Sequence, residues 1–146
     1  MKNFVIIMVA TVCFAGCQTA DNTVKLTDEQ KSNALKDSSN YTTVQWLDST
    51  FRDFGKIKEG EVLEVSFHFK NTGEHNLIVS DVRPGCGCTD PVKPEEPIAP
   101  GKEGVIKAKF NSKGQHIGEN RKYITVTANT KPSPTTELTF RAEVTK

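Results

Sequence analysis

The chain has 146 residues, enough for one domain with a modest core. Its 19 Lys and Arg against 18 Asp and Glu give a formal charge of +1, with no basic patch. That argues against a nucleic-acid partner, and a charge so near zero gives no general steering toward acidic or basic molecules.

Met1-Lys2-Asn3 is a short positive start, and Phe4 to Ala15 is an apolar run of twelve residues. The run is too short to span a bilayer, which takes about 20. Ala15-Gly16 then precede Cys17, the layout of an exported precursor. Phe14-Ala15-Gly16-Cys17 resembles the bacterial lipobox, with Phe where Leu is more usual. The resemblance implies a signal peptide over residues 1–16, a diacylglyceryl group on the Cys17 thiol and a further acyl chain, of the palmitate kind, on its amine. Two or more chains hold firmly to a membrane where one does not. The expected location is therefore the bacterial cell envelope, lipid-anchored, at the outer membrane. The alternative is an ordinary signal peptide cut near Ala15, with Cys17 left as a thiol. Losing Lys2 with the leader balances the mature side chains at zero.

Residues 17–41 are polar, broken only by Val24, Leu26 and Leu35 among large aliphatic residues. Thr27 and Gln30 have capping-box spacing, but no long apolar stripe follows. The segment reads as a lipid-anchored polar tether with at most a frayed helix, the alternative being that Leu26 and Leu35 dock on the domain.

The folded domain is expected over residues 42–146. Tyr41 to Leu47 favours extended structure, with Trp46 as partly buried core. The three-residue spacing of Phe51 and Phe54 predicts a bend or bulge, and Gly55 to Gly60 reads as a turn. Glu61 to Lys70 alternates strictly, with Leu63, Val65, Phe67 and Phe69 on one face. After the turn Asn71-Thr72-Gly73-Glu74, Leu77 to Val82 is expected to return as the second arm of a hairpin. Pro84 to Gly101 is dense in Pro and Gly and reads as a loop, with Ile98 folding back onto the core. Val105 to Phe110, Arg121 to Ala128 and Leu138 to Val144 are further alternating strands. About seven short strands without a helical apolar period predict an all-β sandwich of two sheets, with an open barrel as the runner-up.

Within the loop, Cys86-Gly87-Cys88-Thr89 stands between Pro84-Gly85 and Pro91. Cys13 and Cys17 belong to the leader, which leaves Cys86 and Cys88 as the domain's own pair. Three readings stand side by side: a small disulfide loop, two buried thiols, or a pair that binds a soft metal such as Cu(I) or zinc. With successive strands taken as antiparallel, His75 and His116 fall at the end opposite Cys86. His68 then lies some 13 Å away at about 3.4 Å per residue, so no His joins the cysteines. Ser66-x-His68 and the scattered carboxylates match no nucleophile arrangement. Short loops leave little room for a deep pocket. No catalytic residue, cofactor or enzyme activity is expected, and Gly85, Gly87, Thr89 and Asp90 form the candidate binding tip.

Phe51-x-x-Phe54-Gly55, Glu59-Gly60, Phe67-x-Phe69-x-Asn71-Thr72-Gly73, Cys86-Gly87-Cys88-Thr89 and Pro97-Ile98-x-Pro100-Gly101 occur in that order. This set resembles the DUF1573 family of bacterial lipoproteins, and the wider immunoglobulin-like domains related to ASPM, SPD-2 and Hydin, over about residues 43 to 144. The resemblance implies an immunoglobulin-like sandwich that is exported and scaffolds or binds. Pro84-Gly85 and Asp90-Pro91 depart mildly from the family's usual residues around the cysteines. The expected function is a non-enzymatic binding or structural module, with an envelope protein or glycan as partner. The alternative is a small thiol- or metal-handling protein using Cys86 and Cys88.

Overall fold

The computed structural model describes residues 25–146. The leader and Cys17 lie outside the described residues. Eight strands form two four-stranded sheets packed face to face. The first sheet has the order β1 (Val44–Trp46), β3 (Val62–Asn71), β6 (Glu103–Asn111), β5 (Thr89–Val92). The second has the order β2 (Phe51–Lys58), β8 (Thr135–Thr145), β7 (Gly118–Ala128), β4 (Val79–Pro84).

The core follows the alternation of the long strands. Val65, Phe67 and Phe69 of β3 and Ile106, Ala108 and Phe110 of β6 face Ile124 and Val126 of β7 and Leu138, Phe140, Ala142 and Val144 of β8, all buried. Edge-to-face aromatic pairs pack the core, the first between the two sheets and the other two between strands of one sheet. Phe110 meets Phe140 at 5.7 Å, Phe54 meets Phe140 at 6.4 Å, and Trp46 caps Phe69 at 5.3 Å. Trp46 is half-buried core, as its place beside an edge strand implied.

The chain switches sheets between β1 and β2. β1 pairs antiparallel with β3, while β2 pairs parallel with β8. The bulge expected near Phe51 and Phe54 lies between Asp53 and Lys56, where Gly55 has φ +66°. The turn expected from Gly55 is shorter than predicted. The strand runs on to Lys58 because β8 supplies partners for Lys56, Ile57 and Lys58, and the chain reverses at Glu59-Gly60.

Three further expectations change. The hairpin of β3 with the Leu77 segment does not form, since β4 pairs with β7 in the other sheet. The cause lies at the exit of β3. The Asn71 side chain is fully buried, accepts from Thr42 Oγ1 (2.8 Å) and Gly73 N (3.2 Å), and donates to the carbonyls of His75 and Ile98 (both 2.8 Å). It holds the chain out of a tight reversal, and Leu77 bridges to Ile98 instead. Next, the supposed loop of residues 84–101 contains β5, a four-residue edge strand on β6 that accommodates Pro91. Ile98 does fold back and is buried.

Last, the C-terminal part of the supposed tether is folded. α1 (Asp28–Lys36) starts with the Thr27–Gln30 capping box and lies against β4. Leu26 and Leu35 are half-buried, and Tyr41 Oη donates to the Leu35 carbonyl. The attachment is polar rather than an apolar stripe. Lys31 is 5% exposed and reaches Glu95 at 3.2 Å, and Asn129 Nδ2 donates to the Asn40 carbonyl. The Lys31 hydrogen bond and charge hold the Glu95 carboxyl below its usual range.

Phe67→Ala is expected to lower unfolding stability by about 3–5 kcal/mol. Asn71→Ala, which removes all four side-chain hydrogen bonds of a fully buried amide, should cost at least about 2 kcal/mol. His68→Ala, on the outer face of the same strand, should cost under about 1 kcal/mol. Chemical denaturation checks the order, and equal costs for Phe67 and His68 would refute the assignment of faces.

Asp48 carries a pH prediction. The His68 backbone N–H, first, and the His68 ring hold its carboxyl below the ordinary 3.8. A depressed carboxylate adds stability above its unfolded pKa and loses it as pH falls through the lower folded pKa. Asp48→Asn should therefore flatten the loss of stability below about pH 4, read from thermal melts taken from neutral to acid pH.

Candidate functional site

The tip joins β4 to β5, and backbone geometry alone brings its residues together. Gly85 N donates to the Tyr123 carbonyl at 2.9 Å, which extends the β4–β7 ladder by one residue. Asn111 N donates to the Cys88 carbonyl at 3.0 Å, which begins the β5–β6 ladder. The tip therefore spans the gap between the two sheets.

Cys86 and Cys88 are joined in a disulfide with Cα atoms 5.3 Å apart. Thr89 N donates to the Cys86 carbonyl at 3.3 Å, and its hydroxyl lies 3.7 Å from Cys86 Sγ and 3.9 Å from Cys88 Sγ. Thr89 is buried under the small ring, while Gly87 and Asp90 are exposed. Asp90 stands opposite Lys109 in the β5–β6 ladder, and Lys109 also meets Glu64 at 3.5 Å.

Gly87, between the two cysteines, is not required there by backbone conformation or by space. The residue has no positive φ, and a Cβ there would touch nothing within 4 Å. Gly85 is the constrained glycine. A Cβ there would sit 2.5–2.7 Å from three ring atoms of Tyr123. The near-equal distances mean that the ring lies flat across Gly85. Tyr123 is nonetheless 47% exposed, so with one face on Gly85 its exposed surface lies on the rest of the side chain. The sequence carried a signal for this residue: Tyr123 is the lone aromatic on the polar side of an alternating strand.

The histidines are placed differently from the simple antiparallel count. His75 lies beyond the far end of β3, away from the tip. His116 lies at the tip end, in the β6–β7 connection, because β5 adds one reversal and β6 runs toward the tip. His68 is mid-sheet and paired with Asp48 at 2.7 Å. Among the described residues no group of three or more His, Cys, Asp or Glu converges as a metal site. With the two sulfurs bonded to each other, neither serves as a thiolate ligand or nucleophile in this state. The carboxyls that are perturbed, Asp48, Asp37 and Glu95, are all shifted downward, toward the ionised form.

A family profile described as a protein of unknown function, DUF1573, matches residues 44–144. No curated protein matches the chain. Among solved structures, a protein of unknown function from Porphyromonas gingivalis W83 superposes with TM-score 0.64 at 18% identity, over 73% of this chain. This chain spans 49% of that protein's length. The ASH/PapD-like domain 7 of human CEP192 superposes with TM-score 0.55 at 11% identity, over 73% of this chain and 88% of that one. The YadV chaperone superposes with TM-score 0.51 at 14% identity, over 70% of this chain and 52% of that one. At these identities the likeness is one of fold, the PapD-like immunoglobulin sandwich.

The disulfide closes a very small ring, so its removal should cost much less than the roughly 3 kcal/mol of a 15-residue loop. The Cys86→Ala, Cys88→Ala protein is expected to keep its fold, with changed amide shifts confined to residues 84–92 and the facing ends of β6 and β7. Thiol titration of the parent in denaturant should find no free thiol at either position. Two thiols released on denaturation would refute the bond.

Proposed function

The chain belongs to the DUF1573 family, and from that premise we propose that it is a non-enzymatic binding or structural module of the bacterial cell envelope. Its anchor is lipid on Cys17, at the outer membrane, and its partner is an envelope protein or glycan. The observation that carries the reading is the closed tip. The two cysteines among the described residues are spent on a disulfide above a buried threonine. What the domain offers outward is shape, charge and exposed aromatic rings, which are the means of recognition rather than catalysis. The lipobox-like Phe14-Ala15-Gly16-Cys17 supports the anchor.

Affinity capture of the intact protein from envelope membranes in gentle detergent tests the role. A stoichiometric protein or glycan partner supports it. Recovery with tightly held copper or zinc that is lost in the Cys86→Ala, Cys88→Ala protein overturns it in favour of metal handling. Intact-mass analysis is expected to find acyl chains on residue 17, and Cys17→Ala should release the protein from membranes or stall its processing. A Cys17→Ala protein processed and retained like the parent would refute the anchor.

A further inference from the structure

The outer face of the second sheet carries a short row of aligned residues. Phe51 of β2 stands opposite Thr139 of β8, Thr139 stands opposite Tyr123 of β7, and Gly85 adjoins Tyr123. Tyr123 lies flat on Gly85 and is exposed on the rest of its side chain. Phe51 is 41% exposed and holds the Arg121 guanidinium 5.2 Å from its ring centre. Arg121 and Tyr123 are two apart on the same strand, so their side chains rise on the same face.

The charges on this face are unevenly neutralised. Arg141 lies between Asp53 (3.5 Å) and Glu119 (3.3 Å), and Arg83 meets Asp81 at 2.5 Å. Arg121 makes no ion pair among the described residues. Its position is fixed by an aromatic ring rather than by an acid, so its charge is available to a ligand. An exposed ring beside an oriented, unpaired guanidinium is complementary to a sugar that carries a carboxylate. The sugar's C–H face stacks on the ring, and the guanidinium takes the carboxylate by charge-assisted hydrogen bonds. A protein partner fits less well. The exposed rings are isolated by Thr139 and flanked by charges, whereas a protein interface needs a continuous apolar centre.

We infer that the outer face of the β2-β8-β7-β4 sheet binds an acidic glycan, with Tyr123 as the stacking surface and Arg121 as the carboxylate contact. This rests on the reading of the chain as a binding module and names its ligand class. The disulfide tip has a supporting part: it fixes the chain immediately after Gly85, on which the ring lies.

The test is titration of the full folded chain with a β-1,4-linked glucuronate tetramer and with cellotetraose, which differs in lacking the C6 carboxylates. Calorimetry gives the affinity, and amide shifts locate the contact. The acidic tetramer is expected to bind at least about tenfold more tightly, near the worth of one charge-assisted contact. Shifts should centre on residues 121–125, 139 and 85. Tyr123→Ala should weaken binding about tenfold or more, while Tyr123→Phe, which keeps the ring, stays within about threefold. Arg121→Gln should bring the acidic tetramer down to the level of cellotetraose. No binding at millimolar tetramer, equal affinity for both sugars, or unchanged binding by Tyr123→Ala would overturn the inference. So would a captured protein partner whose contact maps to this face. If the sugar titrations fail while capture still yields a partner that Tyr123→Ala holds, the glycan inference falls and the binding-module reading stands.

Discussion

The buried amide of Asn71 is the constraint on which the connectivity depends. A side-chain amide has two donor hydrogens and two acceptor lone pairs, and this one uses all four inside the protein. Its own backbone is engaged as well, with Asn71 N donating to the Lys102 carbonyl and Gly101 N donating to the Asn71 carbonyl. Three segments that are remote in sequence meet at this one residue: the start of the domain at Thr42, the exit of β3, and the stretch from Ile98 to the turn at Gly101. A partly satisfied polar group in such a place would be costly, so the arrangement is close to all-or-none.

That meeting gives a physical reason for two motifs standing in the chain together. Asn71-Thr72-Gly73 and Pro97-Ile98-Ala99-Pro100-Gly101 are two halves of one hydrogen-bonded junction. Gly73 belongs to it sterically, since a Cβ there would fall 2.1 Å from Thr42 Oγ1. Asn129 acts in the same manner on the other sheet, accepting from Ile78 N and donating to the carbonyls of Asn40 and Asn76. One end of the sandwich is therefore closed by two buried amides. The opposite end carries the disulfide tip, whose exposed residues are free of such duties.

The core was legible because period-two alternation reports which side chains face inward, and β3, β6, β7 and β8 alternate well. Pairing was less legible, because alternation says nothing about which strand lies alongside which. Leu77 to Val82 looked like the second arm of a hairpin by proximity alone, and the Asn71 junction that sends it to the other sheet is a tertiary fact. β5 was hidden for a local reason, since Pro91 reads as a loop residue although an edge strand tolerates it. That one missing strand carried an error into the site, where it placed His116 at the wrong end. α1 was legible as a capped start, but its docking through Leu26 and Leu35 stood only as the alternative, because much of its attachment is an ion pair rather than an apolar stripe.

At the tip, the residues singled out by chemistry and those constrained by geometry differ. The cysteines stood out because sulfur is rare and reactive, yet they close only a local ring. Gly87 stood out because it lies between them, yet a side chain would meet nothing there. The steric requirement falls on Gly85, which has no reactive group and attracts notice only once Tyr123 is seen to cover it. A ring resting on a bare glycine gains backbone contact on one face and keeps its exposed surface for a ligand, at the cost of fixing the glycine. The two features fit one account. A disulfide that closes too small a loop to stabilise the whole domain can still hold the backbone beside it in one shape, and the flat seat under Tyr123 is the shape it adjoins.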